Sequence, residues 1–230
     1  MNDDAMCAEM LPESRRSLLP HWDGEIYSRI AAPFYDLTTR LTGWQEHLGK
    51  SALELLPPGR LLDVGCGTGV VLSHAIERGY TVSGIDPSRG MLAQALEQRR
   101  LPANCLICGS ATELPFASAS FDVVLASGSL VHVPDIAKAA AEIVRVTRPG
   151  GTIRILDHAS PVKRGWTTPL ATLFSQLSGD VLHDYAAHFR SGTQLLRRDT
   201  LGRGGYLQRF DFRRLSSADA MLRSPTFPPG

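Results

Sequence analysis

This sequence predicts an α/β fold: a doubly wound, mostly parallel sheet of about seven strands, with helices on its faces and an N-terminal helical cap. Three observations carry the prediction. Seven short strand-like runs recur along the chain, and helix-patterned segments follow the first, second and fourth. The first run, Leu61-Leu62-Asp63-Val64, turns through Gly65-Cys66-Gly67-Thr68-Gly69 directly into an apolar helical pattern. The second run ends in an acid, Asp86, at the strand tip where open α/β sheets bind their ligands.

Taken in order, residues 1–20 are polar and Pro-punctuated, and a poorly ordered leader is expected there. Residues 21–56 form the expected cap, with Ile26, Tyr27, Ile30, Leu37, Leu41, Trp44 and Leu48 at helical spacing and breaks at Pro33 and Gly43. Pro57-Pro58-Gly59 closes it and opens the main domain, residues 57–215. Strand one and the glycine turn come first, then a helix over 69–78 stopped by Gly79. Strand two is expected over 80–86, a second helix through residue 100, strand three over 104–108 and strand four over 120–127.

A further helix over 136–147 turns Ile136, Ala140, Ile143, Val144 and Thr147 to the sheet and ends at Arg148-Pro149-Gly150-Gly151. Strand five follows over 152–157. Pro161, Gly165, Pro169 and Gly179 divide residues 158–190 into short helical pieces, read as an acceptor-side insertion. Two strand-like pieces, 193–199 and 206–212, close the sheet, and the Pro-rich residues 216–230 read as a flexible tail. Asp184 and His188, four apart on a helix, are expected to form a solvated ion pair.

Composition narrows the function. The chain has 230 residues, 43% of them hydrophobic, with 21 Gly and 15 Pro, a globular balance with room for a core. Lys and Arg number 24 against 23 Asp and Glu, so no basic excess points to nucleic acid or to an anionic membrane. No apolar run is long enough to span a bilayer, so stable membrane insertion is not expected and a cytoplasmic location is the default. An oligomer is compatible with the sequence. The 4 cysteines make no disulfide framework, and Cys105-x-x-Cys108, lacking a second pair at zinc spacing, reads as part of a buried strand with no metal expected.

The glycine turn has the properties of a ligand site. Glycines at 65, 67 and 69 permit positive φ and leave no Cβ between a ligand and the main chain. The helix that starts there offers N–H donors. The spacing departs from the dinucleotide fingerprint G-x-G-x-x-G, because Val70 stands at the sixth position. Asp63 beside the bend would repel a pyrophosphate but attract an ammonium group. Asp86 offers a carboxylate to both hydroxyls of a ribose, or caps the helix that begins near Pro87.

Asp63-Val64-Gly65-Cys66-Gly67-Thr68-Gly69 resembles the first motif of the class I S-adenosylmethionine-dependent methyltransferases. Pro87-Ser88-Arg89-Gly90-Met91-Leu92 after Asp86, and the Arg-Pro-Gly-Gly join at 148–151, are similar to the same family. The segment Ile26 to Leu37 resembles the start of ubiquinone/menaquinone-biosynthesis methyltransferases and of phospholipid N-methyltransferases. This resemblance implies S-adenosylmethionine as methyl donor, S-adenosylhomocysteine as product and a cytoplasmic enzyme acting on a small-molecule acceptor. It assigns the donor to Tyr35, Asp63, Gly65, Cys66, Gly67, Gly69, Asp86, Pro87, Met91, Ser110, Ala111 and Ser127. Met91 would pack on the adenine, and Ser110 stands where relatives often carry Asp facing the adenine amino group.

After strand four comes Gly128-Ser129-Leu130-Val131-His132-Val133-Pro134-Asp135, without the Asn/Asp-Pro-Pro-Tyr/Phe of base-methylating enzymes. It resembles the small-molecule branch known as methyltransferase type 11, and no nucleic-acid partner is expected. Histidine side chains in general ionise near neutrality, so His132 is a candidate general base; a group that merely shapes the pocket is the other reading. The donor is activated by its own sulfonium, so alignment and water exclusion can suffice for direct displacement. Acceptors open on the sequence are quinols, phenols, amines, thiols and lipid headgroups. Three other functions compete: a phospholipid N-methyltransferase at a membrane surface, a noncatalytic S-adenosylmethionine-binding module and a nicotinamide oxidoreductase.

Overall fold

A computed structural model describes residue 49, residues 51–158, 182–201, 207–216 and 218–219. The expected leader, nearly all of the cap with Tyr35, most of the insertion and the end of the tail lie outside the described residues. The chain divides into two compact units, Met1–Pro115 and Phe116–Gly230. Their strands follow the order β3-β2-β1-β4-β5-β7-β6 in a seven-stranded sheet.

In the first unit β1 (Arg60–Val64), β2 (Thr81–Asp86) and β3 (Leu106–Cys108) are parallel, with Asp63 opposite Gly84 and Asp86 opposite Cys108. Consecutive Leu61 and Leu62 are fully buried, so both faces of β1 are covered; Ile85 is buried on β2, and β3 is half-buried. Helix α1 (Val70–Glu77) buries Val71, Leu72 and Ala75 and ends at Arg78 before Gly79, φ +81°. Helix α2 (Arg89–Arg99) buries Met91, Leu92 and Ala95. Each large apolar side chain buried this way contributes about 1.5–3 kcal/mol.

Strand three begins later than its apolar run suggests. Ala103–Cys105 forms a 3-10 turn after Pro102, and only Leu106–Cys108 pairs with β2. Cys105 and Cys108 are both half-buried and neither forms a disulfide; the C-x-x-C straddles a turn and a strand. Proline before the run fixes an extended backbone with no donor to give the ladder, which favours the turn at this point.

In the second unit β4 (Phe121–Ser127) runs parallel to β5 (Thr147–His158), and β7 (Leu207–Arg214) pairs antiparallel with both β5 and β6 (Thr193–Leu201). Helix α3 (Ile136–Val146) is capped by Asp135, whose carboxylate accepts from the Lys138 amide at 3.0 Å. Its buried positions are Ile136, Ala139, Ala140, Ile143 and Val146. Val144, expected on that face, is only half-buried.

The Pro149-Gly150-Gly151 stretch, expected as a turn, belongs to β5. Thr147 pairs with Phe121 and Thr152 with Val123, with a shift of register between them. A bulge gives a proline without N–H a place inside a paired strand, and Gly150 supplies the positive φ of +77°.

Strand β7 carries a buried ion pair with β5 and an aromatic stack with the segment before β6. Arg154 on β5 grips Asp211 with two bonds, Nε to Oδ1 at 2.6 Å and Nη2 to Oδ2 at 2.8 Å. Phe189 stacks on Phe212 at 5.1 Å and Tyr185 meets Phe210 edge-on at 5.6 Å. The short helix α4 (Tyr185–His188) therefore has an aromatic anchor at its start. Asp184 before it does not pair with His188 as the spacing suggested. Its carboxylate lies 3.7 Å from Arg198 on β6, because strand pairing brings a permanent cation closer than the imidazole. Among the described residues no helix is long and apolar enough to cross a membrane.

Candidate functional site

The first unit places the glycine turn against the tip of β2. Gly65, Gly67 and Gly69 all have positive φ, at +73°, +52° and +76°. The three serve different ends. A Cβ on Gly69 would collide with the Leu101 side chain and lie 3.3 Å from Ala95, so this glycine allows α2 to pack beneath the turn. A Cβ on Gly67 would meet nothing within 4 Å, so this is the glycine that leaves the turn open to a ligand.

The turn's amides are not free, contrary to the expectation drawn from the sequence. Gly65 and Cys66 both donate to the Ile85 carbonyl, at 2.7 and 3.1 Å, and Gly69 donates to the Cys66 carbonyl at 2.9 Å. Gly67 donates to Asp86 Oδ2 at 2.8 Å. These bonds dock the turn on β2 and fix its shape. At α1 itself, Gly69 occupies the cap position and no side chain caps the helix.

Asp86 is 8% exposed and its second oxygen accepts the Ser88 amide at 2.8 Å. It is not the cap of α2: Ser88 is, its hydroxyl accepting from the Met91 amide at 3.2 Å. Serine three residues before that amide is a cap signal that the sequence carried and that the neighbouring Asp-Pro obscured. Burial raises the Asp86 pKa, while the amides of Ser88 and Gly67 oppose the rise by favouring the ionised form.

Asp63 is 2% exposed, and its Oδ1 has no hydrogen-bond partner. Burial, with the Asp86 charge adding to it, pushes its pKa up to about 7. A buried carboxylate with an unsatisfied oxygen is costly. The arrangement invites a cation. Cys66, buried beside the same two acids, has its thiol pushed well above its ordinary range and is not a nucleophile.

The other residues that the resemblance assigned to the donor stand in differing environments. Pro87 lies between Asp86 and Ser88, exposed, and Met91 is 4% exposed in the first turn of α2. The Ser110 hydroxyl is engaged with Thr112, 2.9 Å from its Oγ1 and accepting its amide at 3.2 Å; Ala111 between them is half-buried. Thr112 was not anticipated. Arg99, also unanticipated, donates to the Thr68 carbonyl at 2.7 Å and ties the end of α2 to the glycine turn.

In the second unit, β4 ends at Ser127, whose buried hydroxyl has no hydrogen-bond partner. A 3-10 turn, Leu130–His132, follows. Asp157 at the far end of β5 is fully buried, and its Oδ2 accepts the amides of Leu130 at 2.8 Å and Val131 at 3.3 Å. Through that oxygen Asp157 holds the backbone of the turn that bears His132.

An orphaned buried carboxylate oxygen, an open backbone surface over Gly67 and a second carboxylate at a strand tip fit a cationic nucleoside such as S-adenosylmethionine. Strand order and glycine turn together define the Rossmann-like fold of class I S-adenosylmethionine-dependent methyltransferases. Residues 62–155 match the protein family described as methyltransferase domain.

The chain is similar to the demethylmenaquinone methyltransferase of Renibacterium salmoninarum, 38% identical over 136 residues, covering 56% of each chain. It thus spans little more than half the length of that curated relative. Among solved structures it resembles a SAM-dependent methyltransferase of Thermotoga maritima, with a TM-score of 0.67, 17% identity and coverage of 85% of this chain and 100% of that one. It also resembles the [4+2]-cyclase SpnF, with a TM-score of 0.66, 19% identity and coverage of 84% and 94%. Likeness at these identities shows the fold alone, and a cyclase on the same fold means the reaction must be argued from the site.

Proposed function

We propose that the chain is an S-adenosylmethionine-dependent methyltransferase whose acceptor is a small molecule, an isoprenoid quinol of the kind named for its demethylmenaquinone methyltransferase relative. The observation that carries the reading is the Asp63 carboxylate, buried with an unsatisfied oxygen beside Asp86 and the glycine turn. Asp63 is the counter-ion for the donor's ammonium group. Asp86, after accepting two amides, keeps lone pairs for ribose hydroxyls. Gly67 gives the backbone surface, with Gly65, Cys66 and Gly69 holding its shape, and Pro87, Met91, Ser110 and Ala111 bound the adenine side. Tyr35, outside the described residues, and Ser127 complete the donor set.

The donor supplies an electrophilic methyl on a positive sulfur, and an acceptor atom displaces it in line to leave S-adenosylhomocysteine. The protein's own contributions are alignment, exclusion of water and, through His132, removal of the acceptor's proton. We take residues 57–215 as the methyltransferase domain and a cytoplasmic setting for it.

Calorimetric titration with S-adenosylmethionine, S-adenosylhomocysteine and NAD tests the donor. Micromolar binding of the first two and none of NAD is expected; the reverse ends the reading. Release of S-adenosylhomocysteine with demethylated isoprenoid quinols tests the acceptor. Turnover with phosphatidylethanolamine instead, together with flotation on anionic vesicles, would move the assignment to a phospholipid enzyme. Tight donor binding without turnover on any acceptor would leave a binding module.

A further inference from the structure

We propose that Asp157 is a positioning residue: from the tip of β5 it holds the Leu130–His132 turn in the shape that presents His132. The inference rests on the proposed role of that turn in methyl transfer. Asp157 is 0% exposed, and so is Leu130, with Val131 at 2%. One carboxylate oxygen accepts both of their amides, at 2.8 and 3.3 Å. A third bond, Gly128 amide to Leu156 carbonyl at 2.8 Å, ties the same loop to the same strand. Within the turn, His132 donates to the Ser129 carbonyl at 3.2 Å and Val133 to the Leu130 carbonyl at 3.1 Å.

Burial of Leu130 and Val131 anchors the loop's side chains, and bonds from β5 hold its backbone. Gly128 at φ +65° has open space where a side chain would pack, and no side chain caps the 3-10 turn. A single short turn has little intrinsic stability. Asp157 adds the side-chain hold on its backbone, with bonds to two amides that are charge-assisted and strong in a dry interior. The strand is in turn registered by Gln208 opposite Asp157 on β7. The acid touches no reacting atom; it acts through the backbone of His132.

The test compares the full-length protein with Asp157→Ala and Asp157→Asn. Three quantities are read: hydrogen exchange at the Leu130 and Val131 amides by NMR, affinity for S-adenosylhomocysteine, and kcat and KM for the acceptor. Alanine should speed exchange at those two amides about ten-fold or more, while Ile153 and Ile155 on the same strand keep their protection. It should lower kcat about ten-fold or more at a donor affinity changed less than about three-fold, and asparagine, whose oxygen still accepts, should restore most of both.

Unchanged exchange at Leu130 and Val131 overturns the proposal, and so does an asparagine variant with released amides and undiminished kcat. Should alanine unfold the protein, seen as loss of donor binding, the asparagine comparison still decides. A wild-type protein that binds no S-adenosylhomocysteine would refute the proposed function itself. A wild type that binds it and methylates nothing refutes the catalytic half of this proposal, while the exchange contrast would survive either failure.

Discussion

The Gly67 amide donates to Asp86 Oδ2 at 2.8 Å, and through this bond the acid at the end of β2 sets the shape of the turn at the end of β1. Asp157 does the same for the turn after β4 with Leu130 and Val131. In each unit a buried acid at one strand tip holds the loop of another strand. A carboxylate is suited to this because it accepts several amides at once.

Asp86→Ala should therefore weaken S-adenosylmethionine binding for two reasons, lost ribose contacts and a released turn. With charge-assisted bonds worth about 1.5–3 kcal/mol each, a loss of about 100-fold or more in affinity is expected. Asp86→Asn should fall between the two, because an amide oxygen accepts from Gly67 but its NH2 opposes the Ser88 amide. Calorimetry on both variants checks the order.

Gly67→Ala and Gly69→Ala should separate binding from folding. Both demand positive φ of a residue with a Cβ, at about 1 kcal/mol or more. Only Gly69→Ala also drives Leu101 and Ala95 apart, so it should lower stability further in urea unfolding. Gly67→Ala puts its methyl in open space and should lose donor affinity out of proportion to its small stability loss.

Asp63 predicts a pH dependence of both stability and binding. Unfolded, it ionises near 3.8; folded, it keeps its proton up to about 7. The native state thus binds more protons between these values, so this group's contribution to stability falls as pH rises through that window and levels off above it. Asp63→Asn should remove that fall, a gain at pH 8 of at most about 4 kcal/mol at about 1.4 kcal/mol per unit of pKa. Urea unfolding at pH 5 and pH 8 measures it. The donor's ammonium favours the ionised form, so donor affinity should rise from pH 6 to pH 8 with release of a proton, read as a buffer-dependent binding heat.

His132→Ala should lower kcat by about 10²-fold to 10⁴-fold if the imidazole takes the acceptor's proton, with S-adenosylhomocysteine affinity unchanged. Steady-state kinetics with a quinol acceptor, paired with calorimetry, gives both numbers. A normal kcat would leave His132 as a wall of the pocket.

Breaking the buried pair with Asp211→Ala leaves the Arg154 guanidinium, 3% exposed, without its bidentate partner. A stability loss of about 3–5 kcal/mol is expected. Chemical denaturation would register it as a lower midpoint.

The parallel core was legible because its signals are local. Apolar runs, glycines and the acids that close them lie within a few residues of one another, so β1, α1, β2 and α2 fell close to where the pattern put them. Strand three and strand five start elsewhere than the linear pattern suggests, for one reason. Proline marks a break in a linear pattern, but after Pro102 it opens a 3-10 turn, whereas at Pro149 a bulge against β4 absorbs it. Asp184 was given the wrong partner because helical spacing is visible in sequence and strand pairing, which brings up Arg198, is not.

By itself the sequence determined that a glycine turn flanked by two acids would stand at strand ends, since side-chain type and backbone freedom are properties of single residues. Only the tertiary structure decided what each group is free to do. It spent the turn's amides on Ile85 and Asp86, gave the cap of α2 to Ser88, and turned Asp157 toward the His132 loop. It also left Asp63 with a bare oxygen. Hydrogen bonds between distant segments and loss of water are set by which strands become neighbours, and that is a property of the whole chain.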